Sequence, residues 1–312
     1  MVASNPETRF DAFHHHTIPY KTINNQPIDA ELLIPKAITP GPHPLVAQFH
    51  GGGLFTGKAL YADWFPPYLV SFALANAAVI VAPNYRLLPE HSGADVLADL
   101  ADFWAWLHGA LPALLSSKAE GVTADLDRLL VAGESAGGWL ALQSVYSLPA
   151  GTIKAMHLPY PMSQPLPGGN KKEMMGMSLP DAAAVEAWLA AIKPGVVVSS
   201  AAPPARLLEG LALMQQPGRR TQFLGEGKRF NPYEGLDDAT WFPRTWVIHG
   251  ADDEVVSVDY SVQLVEKLDR LFPGKARLTV KPGNHGFDGE VDPEKEEWLK
   301  EGLEWVREAW LL

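Results

Sequence analysis

Gly133-Glu134-Ser135-Ala136-Gly137 stands between the apolar run Arg128-Leu-Leu-Val-Ala132 and a helical apolar pattern that continues through Val145. A serine between a buried-strand pattern and a helix pattern is the context of a nucleophile elbow. The turn is so sharp there that a side chain two residues away would strike the neighbouring strand or helix, and Gly133 and Gly137 meet that demand. A random Gly-x-Ser-x-Gly is expected in roughly one such chain in ten, so the motif needs support from elsewhere.

That support lies upstream. Leu45-Val-Ala-Gln-Phe-His50 reads as a strand fed by a turn at Pro40 to Pro44, and it ends in Gly51-Gly52-Gly53. Consecutive glycines after a strand let the backbone aim N–H groups into a cleft, where they stabilise the oxyanion of a tetrahedral intermediate. A serine hydroxyl also needs a histidine to take its proton and a carboxylate to hold that histidine. Gly283-Asn284-His285-Gly286-Phe287 follows the last strand pattern and offers His285 as the base. The acid is expected at the end of the strand before it, where Asp252 and Asp253 are adjacent and the residues alone leave the choice open.

Outward from these motifs, strands are expected at His14 to Thr22, Pro27 to Ile34, Ala78 to Ala82, Arg244 to His249 and Ala276 to Val280. Helices are expected from Ala94, from about Tyr260 to Leu271, and from near Pro293, where Leu299, Leu303, Val306 and Trp310 form one apolar stripe. Short apolar runs alternating with helices point to a parallel sheet buried on both faces. Between about Ser163 and Asp238 the alternation stops, with helices expected at Asp181 to Ile192 and Pro204 to Gln215. The expectation is one domain, residues 1–312, with an insertion over the sheet at about 163–240.

Composition narrows the chemistry. The chain has 312 residues, 25 Lys plus Arg and 36 Asp plus Glu, a formal charge of −11, which disfavours nucleic acid and anionic membranes as partners. It has no cysteine, which removes disulfides, zinc-thiolate sites and thiol nucleophiles. Met1 to Phe13 carries no apolar stretch of the secretory kind, and Leu69 to Pro83 is too short to span a bilayer, so a cytoplasmic chain without an integral membrane segment is expected. His14-His15-His16 reads as part of a surface strand, His43, His91, His108 and His157 as structural or surface residues, and His50 and His249 as braces for their turns. The sequence leaves the oligomeric state open.

With these residues in hand, the chain resembles the α/β-hydrolases, and among them the hormone-sensitive-lipase-like carboxylesterases. The resemblance rests on His50-Gly-Gly-Gly53, Asn84-Tyr-Arg-Leu-Leu-Pro-Glu90, Asp99 with Trp106 downstream, Gly133-Glu-Ser-Ala-Gly137 and Gly283-Asn-His-Gly-Phe287. It implies a mostly parallel central sheet flanked by helices with a helical cap, Ser135 as nucleophile, His285 as base, and the N–H groups of Gly52, Gly53 and Ala136 as oxyanion hole. Tyr85, Arg86, Pro89, Glu90 and Asp99 match positions that support the site structurally. The group writes its acid as Asp-Pro-Leu with a second Asp, whereas His249-Gly250-Ala251-Asp252-Asp253-Glu254-Val255-Val256 fits the broader His-Gly-x-x-Asp-x-x-Val form, and that spacing selects Asp253. Gly93-Ala94 replaces the usual Phe-Pro, so the turn before that helix is expected to differ. Strands starting near His14 leave little room for an N-terminal cap, so the insertion is expected to supply it.

The implied function is hydrolysis of a short- to medium-chain carboxylic ester through an acyl-enzyme, with a small-molecule ester as partner and no metal or organic cofactor. Met174, Met175, Met177 and Trp188 are candidates to line an acyl pocket or to pack the cap. Two alternatives stand beside this reading: a lactone, thioester or natural-product ester as substrate, and a non-catalytic binding protein on the same scaffold.

Overall fold

The computed structural model describes residues 5–165, 168–292 and 294–312. Its elements run β1 (Phe13–Ile23), β2 (Gln26–Pro35), β3 (Gly41–Phe49), α1 (Pro67–Ala75), β4 (Val79–Pro83), α2 (Gly93–Gly109), α3 (Leu111–Lys118), β5 (Val122–Gly133), α4 (Ala136–Ser147) and β6 (Ile153–Pro159). A two-residue hairpin follows, β7 (Glu173–Met174) and β8 (Met177–Ser178), then α5 (Ala182–Ala190), α6 (Leu207–Gln215), α7 (Arg219–Leu224) and α8 (Pro232–Gly235). The chain closes with β9 (Arg244–Gly250), α9 (Val258–Leu271), β10 (Ala276–Lys281) and α10 (Glu297–Trp310).

The main sheet has eight strands in the order β1-β2-β4-β3-β5-β6-β9-β10. β1 and β2 pair antiparallel, β2 meets β4 antiparallel, and every pairing from β4 onward is parallel. The period of two along a strand sends alternate side chains to opposite faces, and here both faces are apolar. Val79 and Val81 belong to the core cluster that holds Phe103 and Trp104 of α2, Leu140 of α4 and Leu264 of α9, whereas Ile80 belongs to the one that holds Tyr68 and Leu69 of α1 and Leu303 and Trp310 of α10. The helices therefore form a layer on each side, and the α/β-hydrolase architecture expected from the motifs is the one observed.

Several expectations move in detail. β3 starts at Gly41, inside the expected turn, because Gly41 to Pro44 pair with Val122 to Asp125 of a longer β5. β6 was not expected at all, because Lys154 and His157 interrupt its apolar run. The expected helix start at Pro293 lies outside the described residues, and α10 runs from Glu297. The expected helices of the insertion appear as α5 and α6, joined by the unexpected β7–β8 hairpin, α7 and α8.

Before α2 the turn is a capping box in which Ser92 and Asp95 satisfy each other's backbone N–H groups. Gly93 is needed there because a Cβ would sit 2.0 Å from the carbonyl oxygen of Leu224, at the end of α7. On β1, His15 Nε2 lies 2.6 Å from Glu31 of β2, a pairing at the sheet surface. No helix among the described residues is long and apolar enough to cross a membrane.

Candidate active site

Ser135 sits between the end of β5 and the first turn of α4 with φ 54° and ψ −116°, a backbone conformation that side chains rarely adopt. Its neighbours explain why the turn closes. A Cβ on Gly133 would lie 2.3 Å from the carbonyl oxygen of Gly137, and one on Gly137 would lie 2.0 Å from that of Phe49. The strained serine is thus held by close backbone packing on both sides, and its Oγ faces the open end of the parallel strands, where α/β sheets bind ligands.

His285 follows β10, and its Nε2 lies 3.0 Å from Ser135 Oγ. Its Nδ1 lies 2.7 Å from Asp253 Oδ2, in the loop after β9. The other Asp253 oxygen accepts the backbone N–H groups of Val255 and Val256, both at 2.8 Å. Burial alone would raise the Asp253 carboxyl, yet hydrogen bonds from His249 and His285, together with the His285 charge, hold it well below the usual carboxylate range. Asp252 points elsewhere: it is exposed and accepts the Gly283 N–H at 3.1 Å. Asn284 joins the two loops, its Oδ1 accepting the N–H of His285 at 2.7 Å and of Glu254 at 2.9 Å.

The glycine loop after β3 lies beside the serine. Gly52 and Gly53 have φ of 100° and 64°, and a Cβ on Gly52 would meet the carbonyl oxygen of Thr56 at 2.1 Å, so the loop is shaped for glycine. Among the described residues, the N–H groups of Gly52, Gly53 and Ala136 are taken up by no protein acceptor. His50 braces the loop as expected, its Nδ1 2.8 Å from the Gly51 carbonyl and its ring stacked on Tyr85 at 4.3 Å. Burial pushes that imidazole down to about 4, so it is neutral at neutral pH. His249 braces the acid loop through Ser261 Oγ at 2.7 Å and the Val256 carbonyl at 2.9 Å.

The supporting positions lie behind the site. Tyr85 donates its hydroxyl to the His50 carbonyl at 2.7 Å. Asp99, fully buried, accepts from Arg86 Nε at 2.9 Å and Lys21 Nζ at 2.8 Å. Glu90 pairs with Arg206, which ties the start of α6 to the turn before α2.

Three residues of the site escaped the reading of the sequence. Glu134 is buried, with Oε1 accepting the Gly51 N–H and Oε2 accepting Gln48 Nε2, each at 2.7 Å. Burial outweighs these bonds and pushes its carboxyl up to about 8. Tyr160, just past β6, sets its ring 4.5 Å from that of His285. Asp288 is buried beneath the His285 loop and accepts the Tyr68 hydroxyl at 2.7 Å. Only Glu134 carried a signal, as the one charged residue inside the motif.

A cavity of about 260 Å³ opens over Ser135 and His285. Met162, Met175, Met177, Met214, Leu211 and Trp64 line it. Of the four residues that were candidates to line it or to pack, Met175 and Met177 line it. Met174 is buried in the core, and Trp188 packs on Phe55 and Arg206, so these two follow the other expected course, packing rather than lining.

Comparison with known proteins agrees with the architecture. Residues 46–270 match the model of a family described as having the alpha/beta hydrolase fold. The chain is 30% identical over 315 residues to "Probable carboxylesterase M8" of Phoma sp., covering 97% of this chain and 98% of that one. It is 25% identical over 320 residues to "Non-reducing polyketide synthase ascC" of Acremonium egyptiacum, covering 92% of this chain but 15% of that protein. In fold it is similar to the esterase LipW from Mycobacterium marinum, with a TM-score of 0.65 and 20% identity over 97% of this chain and 84% of that one. The chain belongs to the α/β-hydrolase family, in its hormone-sensitive-lipase-like carboxylesterase group, and is a hydrolase.

Proposed function

We propose that the chain hydrolyses short- to medium-chain carboxylic esters through a covalent acyl-enzyme, with Ser135 as nucleophile, His285 as general base and Asp253 as the carboxylate that orients it. The observation that carries the reading is the hydrogen-bonded line from Ser135 Oγ through His285 to Asp253, opening into an apolar cavity. As Oγ bonds to the ester carbon, His285 Nε2 takes the hydroxyl proton and the carbonyl electron pair moves onto oxygen. The N–H groups of Gly52, Gly53 and Ala136 hold that oxyanion, an interaction worth about 3 kcal/mol per donor in hydrolases of this kind. Asp253 stabilises the imidazolium. Collapse breaks the bond to the alcohol oxygen, which leaves with the proton from His285, and water repeats the sequence on the acyl-enzyme.

The chemistry asks for no metal or organic cofactor. A cavity of about 260 Å³ is small for a binding pocket, which supports short acyl and alcohol groups. We read residues 163–240 as the cap that shapes it, since Met175, Met177, Leu211 and Met214 of this stretch form much of its lining. The similarity to a polyketide synthase over 92% of this chain favours one second reading, a polyketide-derived ester or thioester cleaved by the same steps.

The test is hydrolysis of p-nitrophenyl esters from acetate to palmitate by wild type and Ser135→Ala, with circular dichroism on both. Cleavage of the shorter esters by wild type alone supports the reading. A folded wild type that cleaves none of them and resists fluorophosphonate labelling sinks it in favour of a binding protein.

A further inference from the structure

Arg220 is a charged side chain for which the hydrolytic steps have no use. It stands on α7, inside the insertion, and is 5% exposed. Among the described residues its Nε and Nη1 meet no acceptor, and its Nη2 bonds only to the sulfur of Met162. A thioether is a weak acceptor and no counter-charge. Among the described residues no carboxylate pairs with the guanidinium; the ionisable group nearest in effect is Tyr260, a phenol that is neutral at neutral pH. Burial lowers the guanidinium to about 10, which leaves it protonated under ordinary conditions.

A buried charge without a partner is among the most unfavourable arrangements a fold can carry. Its position says where a partner would come from. Met162 lines the cavity over the serine, and its backbone N–H bonds to the Ser135 carbonyl at 2.8 Å. Arg220 thus lies one side chain behind the cavity wall, beside the reacting centre. That side chain is a methionine, unbranched and able to swing aside. Ser163, next in the chain and fully buried, also has an Oγ without a partner among the described residues.

We propose that Arg220, reached past Met162, is an anion-binding subsite of the cavity, and that the preferred esters carry a second, carboxylate group on the portion that fills it. This rests on the hydrolytic reading for the ester bond, and on the unpaired guanidinium for the acid group. A planar guanidinium takes a carboxylate through two parallel hydrogen bonds, a match that neither Met162 nor water provides.

The experiment compares the monomethyl esters of succinate, adipate and suberate with the methyl esters of butyrate, hexanoate and octanoate. Binding to Ser135→Ala is measured by calorimetry, and hydrolysis by wild type in a pH-stat. At least one half-acid ester is expected to bind about tenfold or more tightly than its neutral counterpart. Adding Arg220→Met is expected to erase the difference, and Arg220→Lys to restore part of it. Because Arg220→Met replaces an unpaired buried charge by an apolar group, it is expected to melt no lower than its parent. Equal binding of all pairs, a difference that survives Arg220→Met, or a large fall in melting temperature in that variant would each overturn the subsite. Hydrolysis without the preference removes the subsite alone; preference without hydrolysis of any ester removes the hydrolytic reading alone.

Discussion

Glu134 Oε1 accepts the backbone N–H of Gly51 at 2.7 Å, across 83 residues of chain. One residue precedes Ser135 and the other precedes Gly52, so this bond holds the glycine loop against the serine turn. Glu134→Ala removes the acceptor and leaves a buried N–H unpaired. We expect kcat/KM for a p-nitrophenyl ester to fall by about 10- to 100-fold, while Glu134→Gln, which keeps an acceptor, stays within about tenfold of wild type.

The same carboxyl makes stability depend on pH in an unusual direction. Its folded-state value is about 8 against 4.5 for the free side chain, so between those values the folded state holds a proton that the unfolded state has released. Its contribution is complete below about pH 4.5 and is lost as pH rises toward 8. The melting temperature of wild type minus that of Glu134→Gln is expected to decline across this range. A flat difference would show that Glu134 is ionised in the folded protein.

Adjacent carboxylates are expected to behave very differently. Asp253→Asn leaves His285 without its orienting charge and is expected to lower kcat by about 10³- to 10⁴-fold. Asp252 is exposed and holds only the Gly283 N–H, so Asp252→Asn is expected to stay within about twofold. Steady-state kinetics on the two variants decides between them.

The backbone of Ser135 trades stability for position. With φ 54° and ψ −116°, a residue bearing a Cβ is strained by about 1–3 kcal/mol, and glycine is not. Ser135→Gly is expected to abolish esterase activity and to gain about 1 kcal/mol in calorimetry, whereas Ser135→Ala, which keeps the Cβ, does not gain.

Packing against the sheet sets a last expectation. On α10 a Cβ added at Gly302 would lie 2.0 Å from Cζ2 of the fully buried Trp246, so Gly302→Ala is expected to lose about 1–3 kcal/mol in urea denaturation. Gly109, at the end of α2, has nothing within 4 Å of that position. Gly109→Ala is expected to be neutral or to gain up to about 1 kcal/mol.

Much of this molecule is legible in its residues. The strand before Ser135, the helix after it and Gly133, which packs on Gly137, are bound by contacts a few residues apart, so their spacing carries the turn. The paired apolar strands and the amphipathic α9 and α10 declare themselves by period for the same reason. β6 hid because Lys154 and His157 look solvent-facing, whereas the sheet buries His157, pushes its imidazole down to about 3 and places it 2.9 Å from the Tyr68 hydroxyl. The contacts of the stretch between β6 and β9 hid because nothing periodic separates Met174, which packs inward, from Met175, which lines the cavity.

The sequence by itself determined the α/β architecture, the strained serine turn, the glycine loop and the candidate identities of serine, histidine and acid, because glycine sterics and apolar period act locally along a chain. Only the tertiary structure decided that Glu134 anchors Gly51, that Asp252 turns to Gly283 while Asp253 faces His285, and that Arg220 lies behind Met162 with no carboxylate partner among the described residues. Those are relations between segments remote in sequence, and they exist only once the sheet has ordered its strands and the loops at their ends have met.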